Sequence, residues 1–267
     1  MTREIYPSAP LRFVAFELQF DLVPALGTGD GQAKVYEQLR EYFPIAENAM
    51  SVEVTLSPVG SSAPQAAPEL RMLDMERTRS VAVSARSLTV QTSTFRDSEE
   101  FAVSVRHAVQ ALETSRVATR KRVGLRYVDE VRVPGVAQPD DWGPYIDERL
   151  LGGINFGAEK YELEAAQGLV GVTVAPDRHV MLRYGPSNGL AVDPNGPLRL
   201  PPAPQGEFFL LDLDSFWSPA DGKPPRFDTD EVLETFSLLD EPSHELFETA
   251  ITEQLRDEVL RRPNDGK

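Results

Sequence analysis

The chain has 267 residues, of which 42 are acidic and 27 basic, so its formal net charge is −15, and it contains no cysteine. The absence of cysteine excludes disulfides, thiolate nucleophiles and cysteine-ligated zinc or iron–sulfur centres, and the acidic balance disfavours a nucleic-acid partner. There is no signal-like start and no apolar run near the ~20 residues that span a bilayer. We therefore expect a cytoplasmic protein with no membrane partner and no cofactor.

The first part of the chain predicts a long strand, a helix and an antiparallel meander that ends in a second helix. From residue 11, LRFVAFELQFDL alternates so that one face is apolar, which is typical of a strand with one buried face. AKVYEQLREYF has apolar residues at helical spacing, and SVEVTLSPV, LRMLDMER, SVAVSA and SLTVQTST indicate strands. In RDSEEFAVSVRHAVQALETS, Asp97 or Ser98 can cap an amphipathic helix.

The rest of the chain repeats this order of elements. Residues 122–133 predict another long strand, WGPYIDERLL a short helix, and KYELEA, LVGVTV and HVMLRYG three more strands. The stretch 185–206 is rich in Pro and Gly and predicts a long excursion before the apolar strand EFFLLDLDSFW. Two helices are expected to close the chain, the first capped by Asp228 with Glu231 three residues on, and the second over SHELFETAITEQLRDEVL.

These elements predict an α+β fold made of two similar halves. The first half covers residues 1–115 and the second covers residues 116–267, and each reads strand, helix, meander, helix. Each half is expected to be a largely antiparallel sheet with helices packed on one face. No residue-level repeat accompanies the repeated order of elements.

The most patterned stretch is KRVGLRYVDEVRV, residues 121–133. In an extended strand one side carries Val123, Leu125, Tyr127, Asp129, Val131 and Val133. The other side carries Arg122, Gly124, Arg126, Val128, Glu130 and Arg132. Residues 116–133 hold six basic residues against two acidic ones, which is unusual in so acidic a chain. The basic residues are Arg116, Arg120, Lys121, Arg122, Arg126 and Arg132.

Two interpretations of this basic strand are open. In the first, it is a half-solvated strand whose arginines pair with carboxylates across the sheet, and Glu17 with Arg126 is the expected pair. In the second, it is a contact surface for a partner, because planar guanidinium groups favour carboxylates and phosphates. No aromatic residues are interleaved as in a single-strand nucleic-acid platform, so an acidic protein is the favoured counterpart.

Four stretches carry a resemblance that covers nearly the whole chain. They are PLRFVAFELQF, SVAVSARSLTVQTSTFRDSEEF, RVGLRYVDEVRVP, and FLLDLDSF followed by HELFETAITEQLRDEVL. Together they resemble a sporadically distributed, uncharacterised bacterial protein family with a central R-x-G-L-R-Y strand, a late L-D-x-D strand and a histidine-containing last helix. Here Asp129 and Glu130 stand where that family has Asn and a basic residue. The resemblance implies a bacterial origin and a single full-length unit, and it implies no reaction.

The sharpest indication of an enzyme is the Asp-x-Asp in FFLLDLDSF. Asp212 and Asp214 project from the same face of a strand, which is a suitable spacing for two carboxylates to hold a hard divalent cation. The alternative is that both lie on a solvated edge or pair with arginines. No hydrolase elbow, P-loop or dinucleotide fingerprint occurs, and the three histidines have no metal-ligand spacing.

Trp142 stands in a loop-to-helix junction, DDWGPY, where a tryptophan either anchors an interface or covers the edge of a core. His244 is expected in the first turn of the last helix, and His107 at the rim of its own helix.

Two functional hypotheses follow from these observations. The favoured one is a non-enzymatic component that binds another protein, with the basic strand, Trp142 and the 185–206 excursion as contact surfaces. The resemblance suggests a partner encoded by a neighbouring gene, in a bacterial defence or toxin-neutralising system. The alternative is a divalent-metal phosphoesterase or nuclease that uses Asp212 and Asp214.

Overall fold

A computed structural model describes residues 4–53, 56–57, 60–61, 65–154 and 166–263 of the chain. Within these residues the fold is α+β, with one large antiparallel sheet of nine strands, a two-stranded ribbon and four helices. The strands are β1 Leu11–Gln19, β2 Ile45–Glu53, β3 Leu56–Ser57, β4 Gly60–Ser61, β5 Gln65–Leu73, β6 Arg79–Ser84, β7 Ser87–Thr92, β8 Arg122–Val131, β9 Gly168–Ala175, β10 Arg178–Asn188 and β11 Glu207–Trp217. The helices are α1 Gly29–Leu39, α2 Ser98–Ala111, α3 Thr229–Ala250 and α4 Glu253–Leu255. The predicted α+β class is confirmed.

The large sheet has the order β2-β5-β6-β7-β1-β8-β11-β10-β9, and every neighbouring pair is antiparallel. The two long strands β1 and β8 lie side by side at its centre, where Phe16 is opposite Leu125. The boundary predicted between residues 115 and 116 therefore runs through a continuous sheet. One buried apolar cluster contains residues from both sides of that boundary, Val14 and Val123 among them.

Alternation along the central strands gives the sheet two different faces. The helix face carries side chains such as Phe16 and Leu125, which are fully buried in a core with α1, α2 and α3. The open face carries the side chains of the other parity, including Arg122, Arg126 and Asp212, and α1 to α3 do not cover it. The helices thus form a single layer on one side of the sheet.

A second apolar cluster lies on the helix face near β10 and β11. Trp142 is its largest member and is fully buried, with its ring centroid 5.4 Å from that of Phe209. Ile146 and Ile251 are joined by a backbone bridge that holds the end of α3 against the 139–150 segment. This cluster anchors the C-terminal part of the chain to the sheet.

The Pro- and Gly-rich excursion covers one end of the open face. Ala191 and Val192 pack there on a small buried cluster that contains Val128 and Phe208. The Ser93 hydroxyl donates to the Arg199 carbonyl at 2.7 Å and ties the excursion to the end of β7. The remainder of the open face, toward the opposite ends of β8 and β11, is left uncovered by this segment.

Three local predictions differ from the structure. The boundary predicted between the two closing helices is wrong, because α3 continues through Pro242 to Ala250. The backbone is extended at Ile251, and the short helix α4 follows, with a π-helical turn over Arg256–Leu260. His244 therefore lies within a long helix and not in a first turn. The segment expected to form a short helix, residues 142–151, instead has two short 3-10 turns at its two ends. The first is Pro139–Trp142 and the second is Glu148–Leu150. The predicted strand KYELEA lies outside the described residues.

The helix caps agree with the sequence. Asp97 accepts a hydrogen bond from the Glu100 amide at 2.7 Å, and Asp228 accepts one from the Glu231 amide at 3.0 Å.

None of the helices in the described part of the chain is both long and apolar enough to cross a bilayer.

Candidate functional site

The central strand β8 has the two-sided pattern expected from its sequence. Val123 and Leu125 are fully buried on the helix face, and Tyr127 is nearly so. Arg122 and Arg126 emerge on the open face, where their side chains keep 21% and 42% of their accessible area. The prediction that this segment is an extended strand with its apolar residues inward is confirmed.

Arg122 bridges two carboxylates on neighbouring strands. Its Nη1 donates to Glu17 Oε2 at 2.7 Å, and its Nη2 donates to both oxygens of Asp214, at 2.9 and 2.6 Å. The guanidinium lies across Gly124, where an added Cβ would be only 2.3 Å from Nη1, and it stacks 4.8 Å from the ring centroid of Phe216. The missing side chain at Gly124 is what lets the arginine lie flat on the sheet.

Arg126 and Arg183 share one buried carboxylate. Arg126 binds Asp212 through two parallel hydrogen bonds, Nε to Oδ1 at 2.6 Å and Nη2 to Oδ2 at 2.8 Å, while Arg183 Nη2 donates to Oδ2 at 2.5 Å. Asp212 is only 5% exposed, whereas the Arg183 side chain retains 37% of its area. Such two-point pairing fixes the plane of the guanidinium as well as its position.

Together these groups form what we call the ion-pair ladder, which crosses β1, β8, β11 and β10 on the open face. Its members are Glu17, Arg122, Arg126, Arg183, Asp212 and Asp214. The ladder has three positive and three negative charges, but they are not evenly spread. The Arg126–Asp212–Arg183 end has one excess positive charge, and the Glu17–Arg122–Asp214 end has one excess negative charge.

The six basic residues predicted as one contact surface do not lie together. Arg120 turns to the helix face, where it binds Glu231 at 2.7 Å and lies 4.5 Å from the ring centroid of Trp217. Lys121 pairs with Asp21 at 3.5 Å, and Arg116 is exposed at a left-handed position after α2. Of the six, only Arg122 and Arg126 belong to the ladder.

Arg132 has a structural role at the base of the excursion. Its Nη2 donates to the Gly189 carbonyl at 2.5 Å, its Nη1 donates to the Gly206 carbonyl at 3.0 Å, and its guanidinium lies 4.9 Å from the ring centroid of Phe208. The same guanidinium pairs with the buried Glu130 carboxylate at 2.9 Å. One arginine thus holds both ends of the excursion, and only 15% of its side chain is exposed.

The geometry contradicts a cation site at Asp212 and Asp214. Both carboxylates do project from the same face of β11, as predicted, but guanidinium groups of Arg122, Arg126 and Arg183 occupy their oxygens. Within the described residues there is no group of three or more His, Asp or Glu side chains that could hold a metal ion. The interpretation that these aspartates pair with arginines is the one that agrees with the structure.

Trp142 is not a surface anchor. It is fully buried beside Phe209, and among the described residues its indole nitrogen has no hydrogen-bond partner. The expectation that it contacts a partner is therefore wrong, and its side chain fills the second apolar cluster.

Two of the histidines lie against aromatic rings. The His107 ring stacks on the Tyr42 ring with centroids 4.1 Å apart, and the His179 ring lies against the Phe216 ring at the edge of the ladder.

A buried polar group on the helix face was visible in the sequence but received no role. Asp129 interrupts the apolar side of β8 and is 5% exposed. Burial, with a smaller effect of the nearby Asp212 charge, raises its pKa to about 8. Next to it along the strand, the Tyr127 hydroxyl donates to Asp240 of α3 at 2.5 Å, which ties β8 to the helix layer.

No family model matches the chain, and neither a curated protein nor a solved structure matches it. Function is therefore inferred from the residues and geometry of the chain itself.

Proposed function

We propose that this protein is a non-enzymatic component that binds another protein through the open face of its sheet. The observation that carries the proposal is the ion-pair ladder, in which carboxylates hold three guanidinium groups in fixed positions on a face that α1 to α3 leave uncovered. Because the carboxylates already order these arginines, the arginine side chains would lose little conformational entropy when a partner binds. Arginine is also enriched at protein interfaces and among their energetic hot spots.

The unequal charge along the ladder suggests what the partner presents. An acidic group would be attracted to Arg126 and Arg183, which share the single charge of Asp212. A basic group would be attracted to the other end, where Arg122 faces both Glu17 and Asp214. Such a pattern fixes the orientation of a partner more than it adds affinity.

The similarity of the two halves remains part of this proposal. Each half places its first long strand at the centre of the sheet and pairs it with its own last strand, β1 with β7 and β8 with β11. From there the strands run outward in reverse chain order, β6 and β5 on one side and β10 and β9 on the other. This correspondence supports two similar halves that share one binding face, to which the first half contributes Glu17.

The setting of the partner comes from the resemblance stated above. A sporadically distributed bacterial family is typical of mobile defence or toxin-neutralising genes, and a partner from a neighbouring gene fits that setting. The metal-dependent alternative is not proposed, because guanidinium groups hold the two carboxylates that it requires.

Site-specific photocrosslinking in the bacterium that produces the protein tests the proposal. A photoreactive residue at Met181, which is half-buried on the open face next to the ladder, should capture one recurrent protein. The matched control is the same residue at Val103, which is 53% exposed on α2 on the helix side. Charge reversal by Arg126→Glu should abolish the adduct at Met181.

Two results would count against the proposal. One is an adduct that forms equally from Met181 and Val103, since that indicates nonspecific collision. The other is an adduct that survives Arg126→Glu, since the ladder would then not contribute to recognition.

A further inference from the structure

One edge of the large sheet is exposed and apolar. Strand β9 is the last strand of the sheet order and pairs only with β10 among the described residues. Leu169, Val170 and Val174 are 45%, 38% and 43% exposed, and none of the buried clusters includes a residue of β9. An edge strand that presents apolar side chains and unpaired backbone groups is a template for adding another strand.

Two common protections of an edge strand, charged side chains and proline, are missing from β9, although it has a bulge near its end. The sequence of β9, GLVGVTVA, has no charged residue and no proline, although the chain as a whole has a net charge of −15. The opposite edge of the sheet is different, because β2 carries Glu47, which pairs with Arg77. Charges on an edge strand oppose edge-to-edge association, so of the two sheet edges among the described residues β9 is the one without this protection.

The shape of β9 favours a flat partner strand over a peptide read by side-chain pockets. Its two glycines leave no hollows, because the Tyr184 ring lies where a side chain at Gly168 would be and Met181 lies beside Gly171. Peptides that add to a sheet edge gain their specificity from pockets for alternate side chains. A partner strand with the same flat, uncharged surface as β9 needs no such pockets.

We propose that the protein forms a two-fold symmetric dimer in which β9 pairs antiparallel with β9 of a second copy. A second copy meets both requirements, since it brings an uncharged strand and equal apolar side chains to the contact. It also avoids the repulsion that two acidic chains would meet at a charged surface. This inference is independent of the proposed partner on the open face.

The regular part of β9 sets the register of the pairing. The ladder with β10 is irregular between Arg178 and His179, so Val174 lies at a bulge and the regular stretch ends at Thr173. A two-fold axis at Gly171 places Val170 opposite Val172 of the partner subunit, with both side chains on the helix face. Leu169 then lies opposite Thr173 of the partner subunit on the open face.

Sedimentation velocity of the full chain from 1 to about 200 μM tests the dimer. The wild-type protein should sediment as a concentration-dependent dimer, and Val170→Lys should raise the dissociation constant at least about tenfold, since it places two lysines in the pairing. Val103→Lys, at a position that is exposed to a similar degree on α2, should leave the constant unchanged. A wild-type chain that remains monomeric throughout, or a Val170→Lys chain that dimerises as tightly as wild type, overturns the proposal.

Cysteine crosslinking provides a second test that does not depend on a destabilising change. Because the chain has no cysteine, introduced thiols are the only ones present. Directly opposite positions of antiparallel strands have Cα atoms about 4.5–5.5 Å apart, which suits a disulfide. A mixture of Val170→Cys and Val172→Cys chains should oxidise to the mixed dimer, and crosslinking no faster than either chain alone would refute this register.

Discussion

The buried carboxylate of Asp212 makes a strong and unequal prediction about its two arginine partners. Asp212 is 5% exposed, while Arg126 and Arg183 keep 42% and 37% of their side-chain area. Removing one arginine leaves the carboxylate paired with the other. Removing both leaves a charge with little access to water and no cation, so the two losses should not add.

The magnitudes follow from this geometry. Arg126→Ala or Arg183→Ala alone should lower the free energy of unfolding by about 1 kcal/mol, because each pair is half solvated and the other remains. Arg126→Ala with Arg183→Ala should lower it by about 3–5 kcal/mol, the cost of an unpaired buried charge. The double change thus exceeds the sum of the single changes by at least about 1 kcal/mol.

Urea denaturation at pH 7, with all variants compared at one protein concentration, measures these differences. Adding Asp212→Asn to the double variant should restore part of the loss, because it removes the unpaired charge. Arg149→Ala is the matched control, since Arg149 makes an ion pair of similar length, 2.7 Å, but with 69% of its side chain exposed, and no measurable loss is expected there. If the double variant costs no more than the sum of its parts, the carboxylate is hydrated and the reasoning is wrong.

Three further predictions concern other positions. The pKa of Asp129 is raised to about 8 by burial, so the native state holds a proton that the unfolded state releases near pH 4, and the contribution of Asp129 to stability falls by about 1.4 kcal/mol per pH unit from pH 4 to 8. Asp129→Asn should remove that slope in urea titrations from pH 5 to 8. A difference in stability between the two proteins that does not change with pH would contradict this prediction. Gly124→Ala should displace the Arg122 guanidinium and cost about 1 kcal/mol, with nearly the same loss in Gly124→Ala/Arg122→Ala as in either single variant. Trp142→Ala should cost about 3–5 kcal/mol in thermal or urea unfolding because it empties a buried site, and a loss under about 1 kcal/mol would mean that the ring is not in the core.

Local sequence patterns were sufficient to predict the elements that depend on near neighbours. The alternation in β1 and β8 identified buried and polar faces, and the caps Asp97 and Asp228 marked the starts of two helices. These features depend on side-chain direction and on hydrogen bonds within three or four residues, both of which are readable from spacing. Helix α3 was less predictable, because Pro242 indicates a break that the structure does not have.

Pairing between distant strands could not be read from the sequence in the same way. Glu17 was expected to pair with Arg126, but the register places Glu17 opposite Gly124, so Arg122 reaches it instead. Arg126 is opposite Asp214 on β11 yet binds Asp212, one step along the same face. Register depends on how two strands are aligned through the whole sheet, and a shift of two residues exchanges ion-pair partners without changing the apolar pattern.

Burial of loop residues was equally hidden. Trp142 stands among Asp, Gly and Pro in a loop, a composition that indicates a surface position. Its ring nevertheless packs against the ring of Phe209, in a buried cluster that also contains Ala250 and Ile251 at the end of α3. Asp129 is the opposite case, since the sequence showed one polar residue among inward-facing apolar side chains but gave no indication of its environment, which is buried.

The contact between β1 and β8 determines how this chain can be divided. A cut in the connection after α2, at the exposed Arg116, would release two fragments that each carry one long strand without one of its two partner strands. Each fragment would expose a row of backbone amides and half of a shared core, so the fragments should bind each other when they are produced together and aggregate when produced alone. That position makes the protein suitable as a split reporter, in which reassembly of the sheet reports that two fused proteins have met.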